Sequence, residues 1–213
     1  MRILGIDPGY AIVGYGVLDY VSGRFSVVGF GAVTTPADLP FEKRLKMIYE
    51  DIKPNYTHIF LKELEDANKL KAIVTQNIDN LHEQVGSKNI YHIHGTINTN
   101  HCIDCNKEYS LEELLKIKDN PICSCGGKIK PDVVLYGEML PEDAYQNGLK
   151  AISEADTLII AGTSLTVYPA AGMIRAFNGK NLIILNKDHI NIPCTLQIND
   201  KLGEIFKNIK IRS

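Results

Sequence analysis

Four cysteines of this chain are spaced like the ligands of a metal site. Cys102 and Cys105 form a Cys-x-x-Cys pair, and Cys123 and Cys125 form a Cys-x-Cys pair beside a Gly-Gly turn. Two tight turns of this kind can bring four thiolates to the distance of about 2.3 Å that tetrahedral zinc requires. The second pair is one residue shorter than usual, and disulfides or chance clustering are the alternatives. We expect a structural zinc site, whose four ligands leave no position open for catalysis.

Two residues near this pattern are candidates for the same chemistry. His101 precedes Cys102 and could compete as a ligand, but we expect a solvated imidazole there. Cys194 stands alone in the sequence, so a buried or incidental thiol is the simplest interpretation.

The amino-acid composition argues against several classes of function. The 213 residues carry 23 Lys and Arg against 25 Asp and Glu, so the basic surplus typical of nucleic-acid binding is missing. No stretch approaches the roughly eighteen apolar residues of a membrane span, and the apolar run after Arg2 is too short for a signal peptide. We therefore expect a cytoplasmic protein without a membrane partner. In that reducing compartment cysteines favour metal over disulfides.

Small or polar residues follow each of five short apolar segments. QNID follows KAIVT, HG follows NIYHI, GE follows DVVLY, GTS follows TLIIA and NKD follows NLIIL. In open parallel sheets, ligands bind outside the carboxyl ends of the strands. One such end alone would be better explained by a turn or a helix cap. Five together predict one shared pocket.

The elements that must position these residues begin at about residue 53. NYTHIFLKELEDANKL places Phe60, Leu64 and Ala67 on one helical face, and apolar strands then alternate with helical patterns. This predicts an α/β architecture, a parallel Rossmann-like sheet with helices on both faces. The zinc lobe would be an insertion over residues 96–130, between the second and third strands.

The first part of the chain follows a different pattern. RILGID, YAIVGYGVLDY and RFSVVGFGAVTT are separated by DPG and SG turns and predict an antiparallel three-stranded meander. A loop containing PADLP follows. The next segment, FEKRLKMIYEDI, has Leu45, Ile48 and Ile52 at helical spacing.

Residues 53–213 resemble the C-terminal three quarters of a sirtuin, the family of NAD-dependent protein lysine deacylases. The segments that carry this resemblance are TQNIDNLHEQVGS, HIHG, the four cysteines, KPDVVLYGE, AGTSLTVYPAAG and ILNKD. The resemblance implies NAD as cofactor, structural zinc, and an acyl-lysine protein or peptide as substrate. It also implies release of nicotinamide and O-acyl-ADP-ribose.

The same resemblance implies a role for each matching position. His94 would be the general base, acting with Asn77 and Asp79, whereas His92 is interpreted as a bystander. The expected NAD-binding residues are Gln76, Asn77, Ile78, Asp79, Gly162, Thr163, Ser164, Asn186, Lys187 and Asp188. The residues expected to border the acyl-lysine peptide are Val133, Tyr136, Gly137, Glu138 and Val167.

Residues 1–52 do not match a sirtuin, because the Gly-Ala-Gly-x-Ser loop of that family is missing. They resemble the N-terminus of the RuvC Holliday-junction resolvases, which have an RNase H-like fold, through GIDPG, GYGVLDY and GAVTT. There Asp7 would be one of several carboxylates that hold two Mg²⁺ ions. The other carboxylates do not follow, so Asp7 is expected to cap its turn.

The chain is thus predicted to join two family fragments within RLKMIYEDIKPNY. A natural fusion, an engineered chimera and an assembly error all account for such a joint. Four functions follow from this organisation: a sirtuin-type deacylase, an NAD- or peptide-binding remnant without turnover, a Mg²⁺-dependent junction nuclease fragment, and a non-functional fusion.

Overall fold

The N-terminal segment forms a three-stranded sheet. In this computed structural model, residues 2–8, 12–21, 24–34, 53–117, 121–135 and 137–211 are described, with side chains only from residue 53 onward and not at residue 115. β1 (Arg2–Pro8), β2 (Ile12–Val21) and β3 (Arg24–Thr34) pair antiparallel in that order, with a register shift between Val17 and Leu18. This agrees with the predicted meander. The helix predicted for FEKRLKMIYEDI lies outside the described residues.

Two parallel strand groups carry most of the predicted strand ends. β4 (Ile73–Thr75) pairs with β5 (Ile90–His92), with the short helix α2 (Leu81–Gln84) between them. β9 (Thr157–Ala161), β10 (Asn181–Leu185) and β11 (Leu196–Ile198) form a second parallel sheet in the order β11-β10-β9. These groups confirm the predicted α/β class.

The prediction that DVVLY forms the third parallel strand is wrong. The strand there is β8 (Ile129–Val133), which pairs antiparallel with β6 (Gly95–Cys102). β7 (Glu108–Ser110) completes the sheet β7-β6-β8, and α3 (Leu111–Lys116) packs on it. The reason is that Ile129, Pro131 and Val133 are buried in alternation with half-buried Lys130 and Asp132. That alternation is typical of a strand with one face on a core, not of a strand covered on both faces.

Helices pack on the parallel groups in two clusters. α1 (Tyr56–Asp66) and α5 (Leu202–Lys207) bring Phe60 and Phe206 together, with ring centroids 5.0 Å apart, against Leu185 of β10. Ala67, which we predicted on the packed face of α1, is instead its exposed C-cap. The helix begins one residue after Asn55, whose side chain accepts from the Thr57 N–H at 2.9 Å.

The second cluster joins β4 to β9. α4 (Glu142–Glu154) contributes Ile152, and the 3₁₀ helix Ala170–Ala176 contributes Met173. Val74 of β4 and Leu158 of β9 pack against the same cluster. A Cβ at Gly148 would lie 3.1 Å from Met173 Cε, so α4 approaches this layer closely. None of the helices in the described ranges is long and apolar enough to cross a membrane.

Candidate active site and zinc centre

The four predicted metal ligands converge. The Sγ atoms of Cys102, Cys105, Cys123 and Cys125 all lie within 4.8 Å of one another. The Cys102–Cys125 and Cys105–Cys123 sulfur pairs are 3.4 and 3.6 Å apart, close to the edge of about 3.8 Å for a tetrahedron with zinc–sulfur bonds of about 2.3 Å. All four thiols are free of disulfides. The donor set and its geometry fit zinc.

Local groups favour the thiolate form at Cys123. The backbone of Cys125 and the Tyr109 hydroxyl, which donates to the Cys123 Sγ at 3.1 Å, lower the pKa of the Cys123 thiol to about 6. The same bond to Cys123 raises the pKa of the Tyr109 hydroxyl to about 12. Metal ligation requires thiolate, so this arrangement prepares one ligand for the metal. His101 is half-exposed and contacts the Asp132 carboxylate.

His94 lies where the parallel β5 gives way to the antiparallel zinc lobe. Its carbonyl accepts from the Val134 N–H at 2.9 Å. The next residue, Gly95, has a φ of +77°, and a Cβ there would lie 1.9 Å from the Asp132 carbonyl oxygen. Glycine is therefore required beside His94. Among the residues that the structure describes, none hydrogen-bonds to the half-buried His94 imidazole.

The predicted QNID loop follows β4 and is held by hydrogen bonds along its length. The Asn77 N–H donates to Thr75 Oγ1 at 3.0 Å, and the Ile78 carbonyl accepts from the Ile97 N–H at 3.0 Å. Asp79 Oδ1 accepts from the Leu81 N–H at 3.1 Å, at the start of α2. The loop therefore has a defined course in front of β5.

The carboxyl ends of β9 and β10 line a cleft of about 390 Å³. Predicted and additional residues share its lining: Gly162, Thr163, Ser164, Asn186, Asp188, His189, Ile190 and Asn191. His189, Ile190 and Asn191 were not predicted, because only the residues directly at the strand end were considered. Lys187 is not among the lining residues.

Two contacts define what this cleft can bind. Gly162 has a φ of +64°, so the backbone turns sharply at the end of β9, and its N–H donates to the Leu185 carbonyl at 3.1 Å. That N–H is therefore engaged within the sheet. Buried Asn186 donates to the Asp188 carbonyl at 3.0 Å. Hydroxyl, amide and carboxylate groups around a cleft of this size fit a nucleotide with ribose hydroxyls.

The QNID loop is joined to this cleft. Gln76 Nε2 lies 3.4 Å from Thr163 Oγ1, and the same oxygen accepts from the Leu165 N–H at 3.2 Å. The ends of β4 and β9 therefore meet. The cleft itself is lined by residues that follow β9 and β10, so one pocket shared by five strand ends stays a prediction.

The predicted peptide-binding residues lie in different surroundings. Val133 is buried with Ile97 and Leu111, so its side chain belongs to the lobe core. Val167 is 51% exposed, whereas Tyr136 lies outside the described residues. Gly137 has a φ of +89°.

Glu138, the remaining predicted peptide-binding residue, is held by its own loop. Its carboxylate oxygens lie 2.6 and 2.7 Å from Lys130 Nζ, and one of them accepts from the Leu135 N–H at 2.9 Å. The hydrogen bond from Lys130 is the main reason that the pKa of Glu138 is lowered. The carboxylate thus shapes the segment after β8.

Comparison with known proteins gives consistent results. The Sir2 family model matches residues 33–169. The NAD-dependent protein deacetylase of Clostridium acetobutylicum is 52% identical over 170 residues, which are 78% of this chain and 69% of that protein. The corresponding protein of Clostridium perfringens is 49% identical over 170 residues, 78% of this chain and 70% of its own.

Solved structures agree. Sir2Tm bound to a propionylated peptide has a TM-score of 0.71 at 34% identity, covering 78% of this chain and 75% of that chain. Sir2 with a p53 peptide and NAD+ has a TM-score of 0.68 at 32% identity, and the match covers 78% of this chain and 75% of that chain.

The family match begins at residue 33, inside the segment that we assigned to a RuvC-like fragment. None of these findings supports the RuvC resemblance, and the boundary near residue 52 stays a prediction. The chain belongs to the Sir2 family.

Proposed function

We propose that this chain is an NAD-dependent protein lysine deacylase that releases nicotinamide and passes the acyl group to ADP-ribose. The observation that supports the proposal is the backbone position of His94, which follows β5 and whose carbonyl accepts from Val134 of the segment after β8. Two residues earlier, His92 contacts the Asn77 carbonyl of the QNID loop. A cofactor and an acyl-lysine would meet at His94.

Each group of residues in the site has a separate proposed role. NAD, when bound, supplies the ribose carbon from which nicotinamide departs. Asn186 and Asp188 would hold the adenosine ribose, and Thr163 and Ser164 would face the phosphates. Gln76, Asn77, Ile78 and Asp79 would enclose the nicotinamide end. The His94 imidazole, which has no hydrogen-bonding partner among the described residues, would accept a proton from a ribose hydroxyl.

The substrate is an acyl-lysine peptide. Similar solved structures hold acetylated and propionylated peptides. In this chain Gly137 and exposed Val167 would border such a peptide from two sides of the crevice, with the loop that Glu138 shapes next to them. Zinc would stabilise the lobe that carries this loop, since its four thiolates leave no position open for substrate.

A binding function without turnover is the second candidate. It is favoured by the engagement of the Gly162 N–H with Leu185, which removes one donor that could face a pyrophosphate. The Gly-Ala-Gly-x-Ser loop is also missing from the sequence.

For residues 1–52 we keep an RNase H-like arrangement as a proposal about fold. It is supported by three antiparallel strands with Asp7 next to the end of β1.

The test is NAD-dependent nicotinamide release. We expect release in the presence of an acetyl-lysine peptide and none with the same peptide carrying unmodified lysine. ADP-ribose binding measured by calorimetry separates the two candidates, because binding without release would support the remnant. If the chain neither released nicotinamide nor bound ADP-ribose, both would be wrong.

Removal of the Lys130–Glu138 pair should weaken peptide use selectively. We expect Lys130→Met to raise the KM for the acyl-lysine peptide about two- to fivefold, because a partly exposed ion pair makes only a small contribution to holding its loop. The KM for NAD should not change. Lys130→Arg should restore the peptide KM. The matched control is Lys150→Met, which breaks an exposed ion pair with Glu154. Equal effects of the Lys130 and Lys150 substitutions would contradict this role.

A further inference from the structure

His92 makes two hydrogen bonds that the sequence did not indicate. It lies at the end of β5, two residues before His94, with its side chain 13% exposed. Its Nδ1 is 3.2 Å from the carbonyl oxygen of Asn77, and its Nε2 is 2.8 Å from Glu83 Oε1. The ring therefore connects the QNID loop to α2.

Both partners of this ring are acceptors. A backbone carbonyl and an ionised carboxylate can only accept, so each ring nitrogen must donate for both bonds to form. Buried His82 precedes Glu83 in α2, its ring lies 4.8 Å from that of buried His58, and burial lowers the pKa of both. The Glu83 carboxylate is the partner of His92 Nε2.

Glu83 is itself fastened to a third element. Its Oε1 also accepts from Asn98 Nδ2, on β6, at 3.2 Å. The ring of His92 thus ties the Asn77 carbonyl to both α2 and β6. Within the described residues, this carbonyl has no hydrogen-bond partner other than His92. Its neighbours are held separately, through the Asn77 N–H and the Ile78 carbonyl.

We propose that His92 is a positioning residue, which fixes the Asn77 carbonyl and thereby the 76–79 loop at the nicotinamide end of the site. The role rests on the proposed function, since it is NAD that this loop would enclose. The bond to Asn77 positions the loop, and the bond to Glu83 orients the ring.

Two substitutions separate these bonds. The amide nitrogen of asparagine lies near the place of Nδ1, whereas that of glutamine lies near the place of Nε2. His92→Asn therefore keeps the donor to Asn77, and His92→Gln keeps the donor to Glu83. A net hydrogen bond of about 1 kcal/mol corresponds to about a fivefold change.

The main readout is amide hydrogen exchange of the free protein, which requires neither NAD nor turnover. We expect amides of residues 76–79 to exchange about fivefold faster in His92→Gln than in the unchanged chain, and within about twofold of it in His92→Asn. Amides of β10 should be unaffected in both. His92→Ala, which removes the donor to Asn77, is the second variant if His92→Gln does not fold, and it should also speed exchange of the loop. Equal rates in His92→Gln and His92→Asn, or loop exchange unchanged by His92→Gln or by His92→Ala, would overturn the proposal.

Steady-state kinetics provide the functional readout. His92→Gln should raise the KM for NAD about fivefold and leave the KM for the acyl-lysine peptide unchanged. A rise in both constants would indicate a merely structural role and overturn the proposal. If the unchanged chain released no nicotinamide, the deacylase proposal would be wrong, while the exchange experiment would still decide the role of His92.

Discussion

His94→Ala should lower kcat/KM for NAD-dependent deacylation by about 10²- to 10⁴-fold, the usual contribution of a positioned general base. The physical reason is that the described residues hold the His94 backbone in place through Val134 while leaving its imidazole unengaged. Removal of the side chain thus takes away the proton acceptor without removing a structural hydrogen bond. The measurement is nicotinamide release with an acetyl-lysine peptide at saturating peptide concentration.

The control for this variant is ligand binding and folding. ADP-ribose affinity and the melting temperature should stay close to those of the unchanged chain, because the cleft between β9 and β10 is formed by other residues. A variant that folds, binds ADP-ribose and still releases nicotinamide at the original rate would show that another group accepts the proton.

Removal of the metal should have the largest effect on stability. Structural zinc sites contribute apparent binding free energies of about 10–16 kcal/mol, and here two of the four ligands, Cys102 and Cys123, are part of the small core with Leu114 and Ile129. We expect one zinc per chain by elemental analysis. A strong chelator, or Cys102→Ser, should abolish the cooperative unfolding of the lobe and the deacylase activity together.

Cys194→Ser is the matched control for the metal prediction. Cys194 is half-buried and outside the four-thiol cluster, so its substitution should leave the zinc content unchanged and the melting temperature nearly so. A chain that retained full activity after complete loss of zinc would contradict the structural role of the metal.

Motif spacing predicted the parts of the site that depend on local sequence. The cysteine pairs and the ends of β4, β5, β9 and β10 all lie where their motifs placed them. The direction of β8 could not be predicted, because the apolar residues of DVVLY do not reveal whether one or two faces are covered. The role of His92 depends on Asn77 and Glu83, which meet it only through the pairing of β4 with β5.

The hydrogen bond from the Gly162 N–H to the Leu185 carbonyl could not be predicted from the sequence either. A glycine at a strand end suggests a free donor for a phosphate, but parallel pairing brings the Leu185 carbonyl within reach of that donor. Hydrogen bonds between distant strands depend on register, which is a property of the assembled sheet.

Gly95, which follows His94, limits the substitutions that the chain can accept at this position. Since a Cβ at Gly95 would lie 1.9 Å from a carbonyl oxygen, any other residue would have to separate two backbones by more than about 1 Å. The spacing between His94 and the segment after β8 is thus limited by main-chain atoms. Rotamer changes of the surrounding side chains leave that spacing intact.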